Sequence, residues 1–218
     1  MQSHHLLKKL LGVTFVFIAV LIMARIWYTG TWRHVFLIWN IFLAWIPFAV
    51  SNYFAQYAHK QRWKQATVFC TWLLFFPNAL YIVTDLVHLQ DNGNAPLWFD
   101  VILLFTSSLA GLVLAFSSLN NAEKYLQMKF SKRLVAILMP CILFISSYGV
   151  YLGRFRRWNS WDVVQSPLAL AEDIMASILF PADHIRTWAV TVTLTLLFSL
   201  IYAFTRIISI RPDKKAGH

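Results

Sequence analysis

The sequence predicts an all-α, polytopic membrane protein with six transmembrane helices and one short interfacial helix. Three observations lead there. Of 218 residues, 59% are hydrophobic and only 13% charged, against about 25% charged in soluble chains. Apolar runs recur at lengths near the roughly 20 residues a helix needs to cross the hydrocarbon core. The polar connections between them are too short to fold around a core of their own. The chain is therefore expected to be a single transmembrane helical domain over 1–218.

The first run covers 10–28 and follows Lys8 and Lys9. That start resembles a signal peptide, but no small-x-small cleavage site follows, so the run is read as a retained helix. The second covers 35–53, with short connections at 29–34 and 54–65 that favour antiparallel neighbours in a bundle. The third, 66–84, is the shortest and carries Pro77 and Asn78, where a kink or partial unwinding is expected. The fourth and fifth runs cover 97–119 and 134–152. Residues 167–180 form a seventh, shorter element, with Ser166 placed to cap it, Pro167 in its first turn and Pro181 after its end. At about 1.5 Å per residue such a helix reaches roughly 20 Å, too short to span, so it is read as interfacial. The last span is 187–209. Cys70 and Cys141 fall within apolar runs and are expected to pack as small hydrophobes, with no disulfide framework.

A net charge of +10 invites a nucleic-acid reading, but the basic residues sit in short loops between apolar runs. That is the pattern of membrane orientation, and no nucleic-acid partner is expected. With the amino terminus inside, thirteen of the nineteen Lys and Arg residues are inner and six are outer. The positive-inside rule then places both termini in the cytoplasm. All nine lysines fall inside, whereas the outer cations are Arg25, Arg33, Arg154, Arg156, Arg157 and Arg186. Seven of the nine acids (Asp85, Asp91, Asp100, Asp162, Glu172, Asp173 and Asp183) are outer as well. Arginine suits planar, partly buried recognition of carboxylate or phosphate better than lysine does, so the outer face is the candidate functional face.

Two groups of residues there carry the site. Asn78, Tyr81, Asp85 and His88 follow one another at helical spacing, so a single α-helical face would present all four. One reading makes them a polar stripe lining an outward-open cavity, with Asp85 and His88 the candidate catalytic pair for proton transfer. The other has Asn78 capping the break at Pro77 while Asp85 and His88 mark the water interface. Asn40 and Asp100 enter at the same level from the second and fourth spans. A metal site built from Asp85, His88, Asp91 and Asp100 is chemically conceivable, but neither H-x-x-x-H nor H-E-x-x-H occurs and no metal ligand is assigned.

The second group is the segment 151–162: Tyr151, Arg154, Arg156, Arg157, Trp158, Asn159, Trp161 and Asp162. If the fifth span continues as a helix, Arg154 and Arg157 share a face and Arg156 points elsewhere. Read functionally, Arg154 and Arg157 clamp the phosphate or other anion of a lipid or lipid-linked substrate, with Tyr151, Trp158, Asn159, Trp161 and Asp162 around it. Alternatively the arginines pair with Asp85, Asp100 and Asp162 as a structural rim, and the tryptophans are belt anchors. Walker, G-x-S-x-G and C-x-x-C motifs are absent, and the cofactor is unknown.

The strings around Trp39-Asn40, Pro77-Asn78 through His88-Leu89, and Gly149 through Asp162 resemble the bacterial membrane family called domain of unknown function 1361, over roughly 30–205. The resemblance implies a multi-pass protein of a bacterial inner membrane with no assigned activity. The expected function is thus an outward-facing site for an anionic lipid or lipid-linked headgroup, extending to its modification. The rivals are a transporter or lipid-moving protein and a structural or assembly protein. A transporter needs polar groups near the midplane, whereas the inner halves offer chiefly Ser117, Ser118 and Asn52.

Overall fold

The computed structural model describes residues 2–89 and 95–210. Asp91, and the basic residues Arg211, Lys214 and Lys215 used for orientation, lie outside these. The long helices are α1 (Gln2–Thr29), α2 (Phe36–Ser51), α4 (Arg62–Tyr81), α5 (Leu97–Gln127), α6 (Lys132–Tyr151) and α9 (Ile185–Ile210). Shorter helices are α3 (Phe54–Tyr57), α7 (Asp162–Gln165) and α8 (Pro167–Leu179). No strand occurs among the described residues. Six helical stretches are long and apolar enough to cross a membrane: His5–Thr29, Phe36–Tyr57, Arg62–His88, Leu97–Gln127, Lys132–Arg156 and Ile185–Ile208.

The chain divides into two compact units, Met1–Met128 and Lys129–His218. In the first, α2 packs on both α4 and α5, and α1 packs on α5. Ile18, Ile22, Leu37, Leu103, Leu104 and Ala110 form a core shared by α1, α2 and α5. Gly111 lets α5 approach α4 closely, since a Cβ there would lie 3.1 Å from the Ala79 carbonyl and 3.1 Å from the Ile82 Cβ. In the second unit α6 packs on α9, and α8 is held by polar contacts described below.

Several local expectations change. The helix runs through Pro77 and tightens only beyond it, into a 3₁₀ segment over Ile82–His88. The Ser108 hydroxyl, 3.2 Å from the Ile82 carbonyl, bonds a group that the change of winding presents to α5. The seventh element forms over Pro167–Leu179 with Pro167 at its start, but Ser166 makes no side-chain capping bond. Cys70 and Cys141 are exposed on their helices rather than packed inside. An apolar run cannot reveal that, because the outer faces of these helices are apolar as well.

Candidate functional site

The sequence-predicted residues fall in both units, and each group stands within its own. In the first unit the ends of α1, α2 and α5 and the 3₁₀ segment carry a cluster of buried polar side chains. Arg25 (4% exposed) and Asp100 (5%) are both buried and form a two-pronged ion pair, Nε to Oδ1 at 2.7 Å and Nη2 to Oδ2 at 3.1 Å. The remaining Arg25 nitrogen, Nη1, donates to Thr31 Oγ1 at 3.1 Å, while the Thr29 hydroxyl donates back to the Arg25 carbonyl at 2.8 Å. Gly30, at φ +65, supplies the left-handed turn that ends α1. One guanidinium thus ties α1, the connection after it and the start of α5.

Asp85 is 1% exposed and accepts a hydrogen bond from Asn40 Nδ2 at 2.7 Å, so α2 meets the 3₁₀ segment here. In a 3₁₀ segment residues three apart eclipse, so Asp85 follows buried Ile82 onto the inner side and half-buried His88 follows Asp85. Tyr81, the last residue of α4, is half-buried and drops out of this row because the winding changes after it. Asn78 donates to the Phe75 carbonyl at 3.0 Å. Phe36 lies between two histidines, with ring centroids 6.1 Å from His34 and 5.2 Å from His88. Among the described residues no group of three or more metal-ligating side chains comes together.

In the second unit the signature segment does not continue as an α-helix. After Tyr151 the chain winds as a π-helix over Leu152–Arg156, and Arg157 then takes a left-handed conformation (φ 62, ψ 26). The Trp158 amide returns to the Leu152 carbonyl at 3.2 Å, the closure usually made around a glycine. The angular register of an α-helix therefore does not apply to Arg154 and Arg157, and their expected shared face has no α-helix to carry it. Arg156, expected to point away, grips Asp173 of α8 through Nε at 2.9 Å and through Nη2. Trp158 Nε1 adds a third donor to the same carboxylate at 2.7 Å.

Around this clamp, Tyr151 is buried with its ring 5.2 Å from Phe155, and the Arg186 guanidinium lies over Phe155 at 4.6 Å. The Asn159 amide donates to Asp162 Oδ2 at 2.6 Å, which shapes the turn into α7. Arg154 and Trp161 are half-buried and Arg157 is exposed. Within each unit, Asn40 bonds Asp85, Arg25 bonds Asp100 and Asn159 bonds Asp162.

Arg25, His34 and Asp173 were not among the expected site residues. The one sequence signal for Arg25 is an arginine within an apolar run, which must find a partner.

The Arg156 guanidinium, and after it Trp158, hold the Asp173 carboxyl below its usual value of 3.8. A carboxylate with a depressed folded-state value adds stability that is present above the unfolded value and lost as pH falls through the folded one. The contact of α8 with the π-helix is accordingly expected to hold at pH 5 and weaken below pH 3.8. Limited proteolysis after Leu179 as a function of pH measures this, and Asp173→Asn should show the acid pattern already at neutral pH.

The model of one family, described as "Protein of unknown function (DUF1361)", matches residues 39–201. No curated protein and no solved structure matches the chain.

Proposed function

We propose that this chain, which belongs to the DUF1361 family, is a multi-pass protein of a bacterial inner membrane, with cytoplasmic termini, that binds an anionic lipid or lipid-linked headgroup at Arg157. Membrane residence is supported by the outward faces of the six long helices. Val13, Phe105, Ile137, Leu196 and Phe204, from four of them, are each at least 60% exposed, an apolar surface that water would not tolerate. The orientation rests on the distribution of Lys and Arg.

The observation that carries the headgroup reading is the conformation of Arg157. A non-glycine residue at positive φ is uncommon and costs of order 1–3 kcal/mol, and such residues cluster at functional sites. Here that cost keeps an exposed guanidinium at the end of a long apolar helix, just before Trp158, while its neighbour Arg156 is already neutralised by Asp173. A guanidinium so placed, with no acid partner among the described residues, suits bidentate capture of a phosphate oxygen pair.

Arg157→Gly is the cleanest deletion, because glycine adopts the same backbone without strain. The variant should fold at least as stably as the wild type. Its affinity for a short-chain anionic phospholipid titrated into the detergent-solubilised chain should fall about 10–100-fold, from the loss of charge-assisted hydrogen bonds each contributing about 1.5–3 kcal/mol. Binding of a zwitterionic phospholipid of the same chain length should not change. Native mass spectrometry of the purified chain gives the same comparison, and equal retention of anionic lipid by wild type and Arg157→Gly sinks the proposal. Arg157→Lys separates a bidentate clamp, which it loses, from a simple charge, which it keeps. A structural role is favoured for Arg156, by its clamp on α8.

A further inference from the structure

His34 is the polar group of the first unit that the packing explains least. Its ring is 2% exposed, and neither Nδ1 nor Nε2 has a hydrogen-bond partner among the described residues. A neutral imidazole buried this way forgoes one donor and one acceptor bond, a cost that a residue chosen only for packing would avoid. It sits in the connection between α1 and α2, the segment that Arg25 braces through Thr31. Its carbonyl accepts from the Leu37 amide at 3.1 Å, so the first turn of α2 is anchored on the same residue.

We propose that His34 is a proton-binding site whose protonation releases the α1–α2 connection from the Arg25–Asp100 pair. The groups acting electrostatically on the ring are Arg25 of α1, Asp100 of α5, Arg33 of its own connection and His88 of the 3₁₀ segment. Helix α2 contributes no charged or titratable side chain. Two of the four are arginines, and the one acid is already held by both prongs of Arg25. An imidazolium at His34 would therefore be a buried cation facing cations. It must either draw Asp100 away from Arg25 or leave the interior for water, and each outcome frees the connection.

Burial, then Arg25, push the His34 value from 6.5 down to about 4. With the folded value depressed, the closed arrangement is fully stabilised above pH 6.5 and loses that stabilisation as pH falls toward 4. Protonation thus acts in one direction, as an acid-triggered release. The ligand is a proton, so this site is independent of the anion site in the second unit, and either proposal can fail alone.

Hydrogen exchange of the full chain in lipid nanodiscs tests this, with rates corrected for intrinsic pH dependence. In the wild type, opening of the amides of Val35, Leu37 and Ile38 should rise about tenfold per pH unit below 6.5, levelling near 4. His34→Phe fills a similar volume without buried nitrogens and should keep these amides closed across the range. The His34 ring resonance of the wild type, followed by nuclear magnetic resonance, should titrate near 4 and supplies a readout that does not depend on the variant folding. Flat wild-type exchange, the same acid opening in His34→Phe, or titration near 6.5 overturns the proposal.

Discussion

Arg25→Ala is expected to destabilise the first unit by about 3–5 kcal/mol, the cost of leaving one member of a buried ion pair without its partner. The side chains of Arg25 and Asp100 are 3% and 7% exposed, so water cannot take over the Asp100 charge. The substitution also removes the donor to Thr31, and the connection to α2 loses its brace. Asp100→Asn should cost nearly as much, since it orphans the guanidinium instead. Arg25→Lys keeps the charge but loses the planar fork that engages both carboxylate oxygens, so it should fall between.

The origin of the loss is separable by a double variant. If the destabilisation comes from an unpaired buried charge, Arg25→Met combined with Asp100→Leu should recover most of it, because apolar replacements of similar volume often match a buried pair. If the pair contributes mainly by tying α1, its connection and α5 together, the double variant stays as unstable as the single ones. Equilibrium unfolding of the purified chain in detergent, followed by circular dichroism, reads both outcomes. A loss under 1 kcal/mol for Arg25→Ala would mean that the pair is hydrated in solution.

The Arg25–Asp100 pair also shows where reading the sequence stops. Six helices were legible because each needs only a contiguous apolar run, and all six long helical stretches lie where those runs are. Pairing across 75 positions leaves no local mark, and Arg25 showed only as an arginine within an apolar run, with no sign of its partner. In the segment 151–162 the expected α-helical geometry gives way to another. A helical wheel assumes 100° per residue, whereas a π-helix followed by a left-handed residue breaks that register, so Arg156 rather than Arg157 meets α8. Asp173 was one of several acids expected on the outer side, and nothing in its spacing singled it out. His34 stood out even less, because an unpartnered nitrogen is visible only once the surroundings are known.

Trp72→Ala should be at least as damaging as the loss of Arg25, costing about 3–5 kcal/mol as a large-to-small change in a closed core. Trp72 is 0% exposed. Its ring centroid lies 4.8 Å from Phe76, 5.3 Å from Phe69 and 5.7 Å from Phe54, which joins α4 to α3. Its Nε1 donates to Ser118 Oγ at 2.6 Å, and that hydroxyl donates in turn to the Pro47 carbonyl at 3.0 Å, which carries the link to α5 and α2. Trp72→Phe should retain most of the apolar contact and lose the donor, at about 1–3 kcal/mol. Ser118→Ala breaks the same relay from its centre. If the relay acts as one unit, the combined Trp72→Phe/Ser118→Ala variant will be clearly less destabilised than the two losses added together, since both remove the same link. Strict additivity in detergent unfolding would mean that the indole contributes by packing alone. This far end of the first unit would then owe its rigidity to aromatic contact, in contrast to the end held by Arg25 and Asp100.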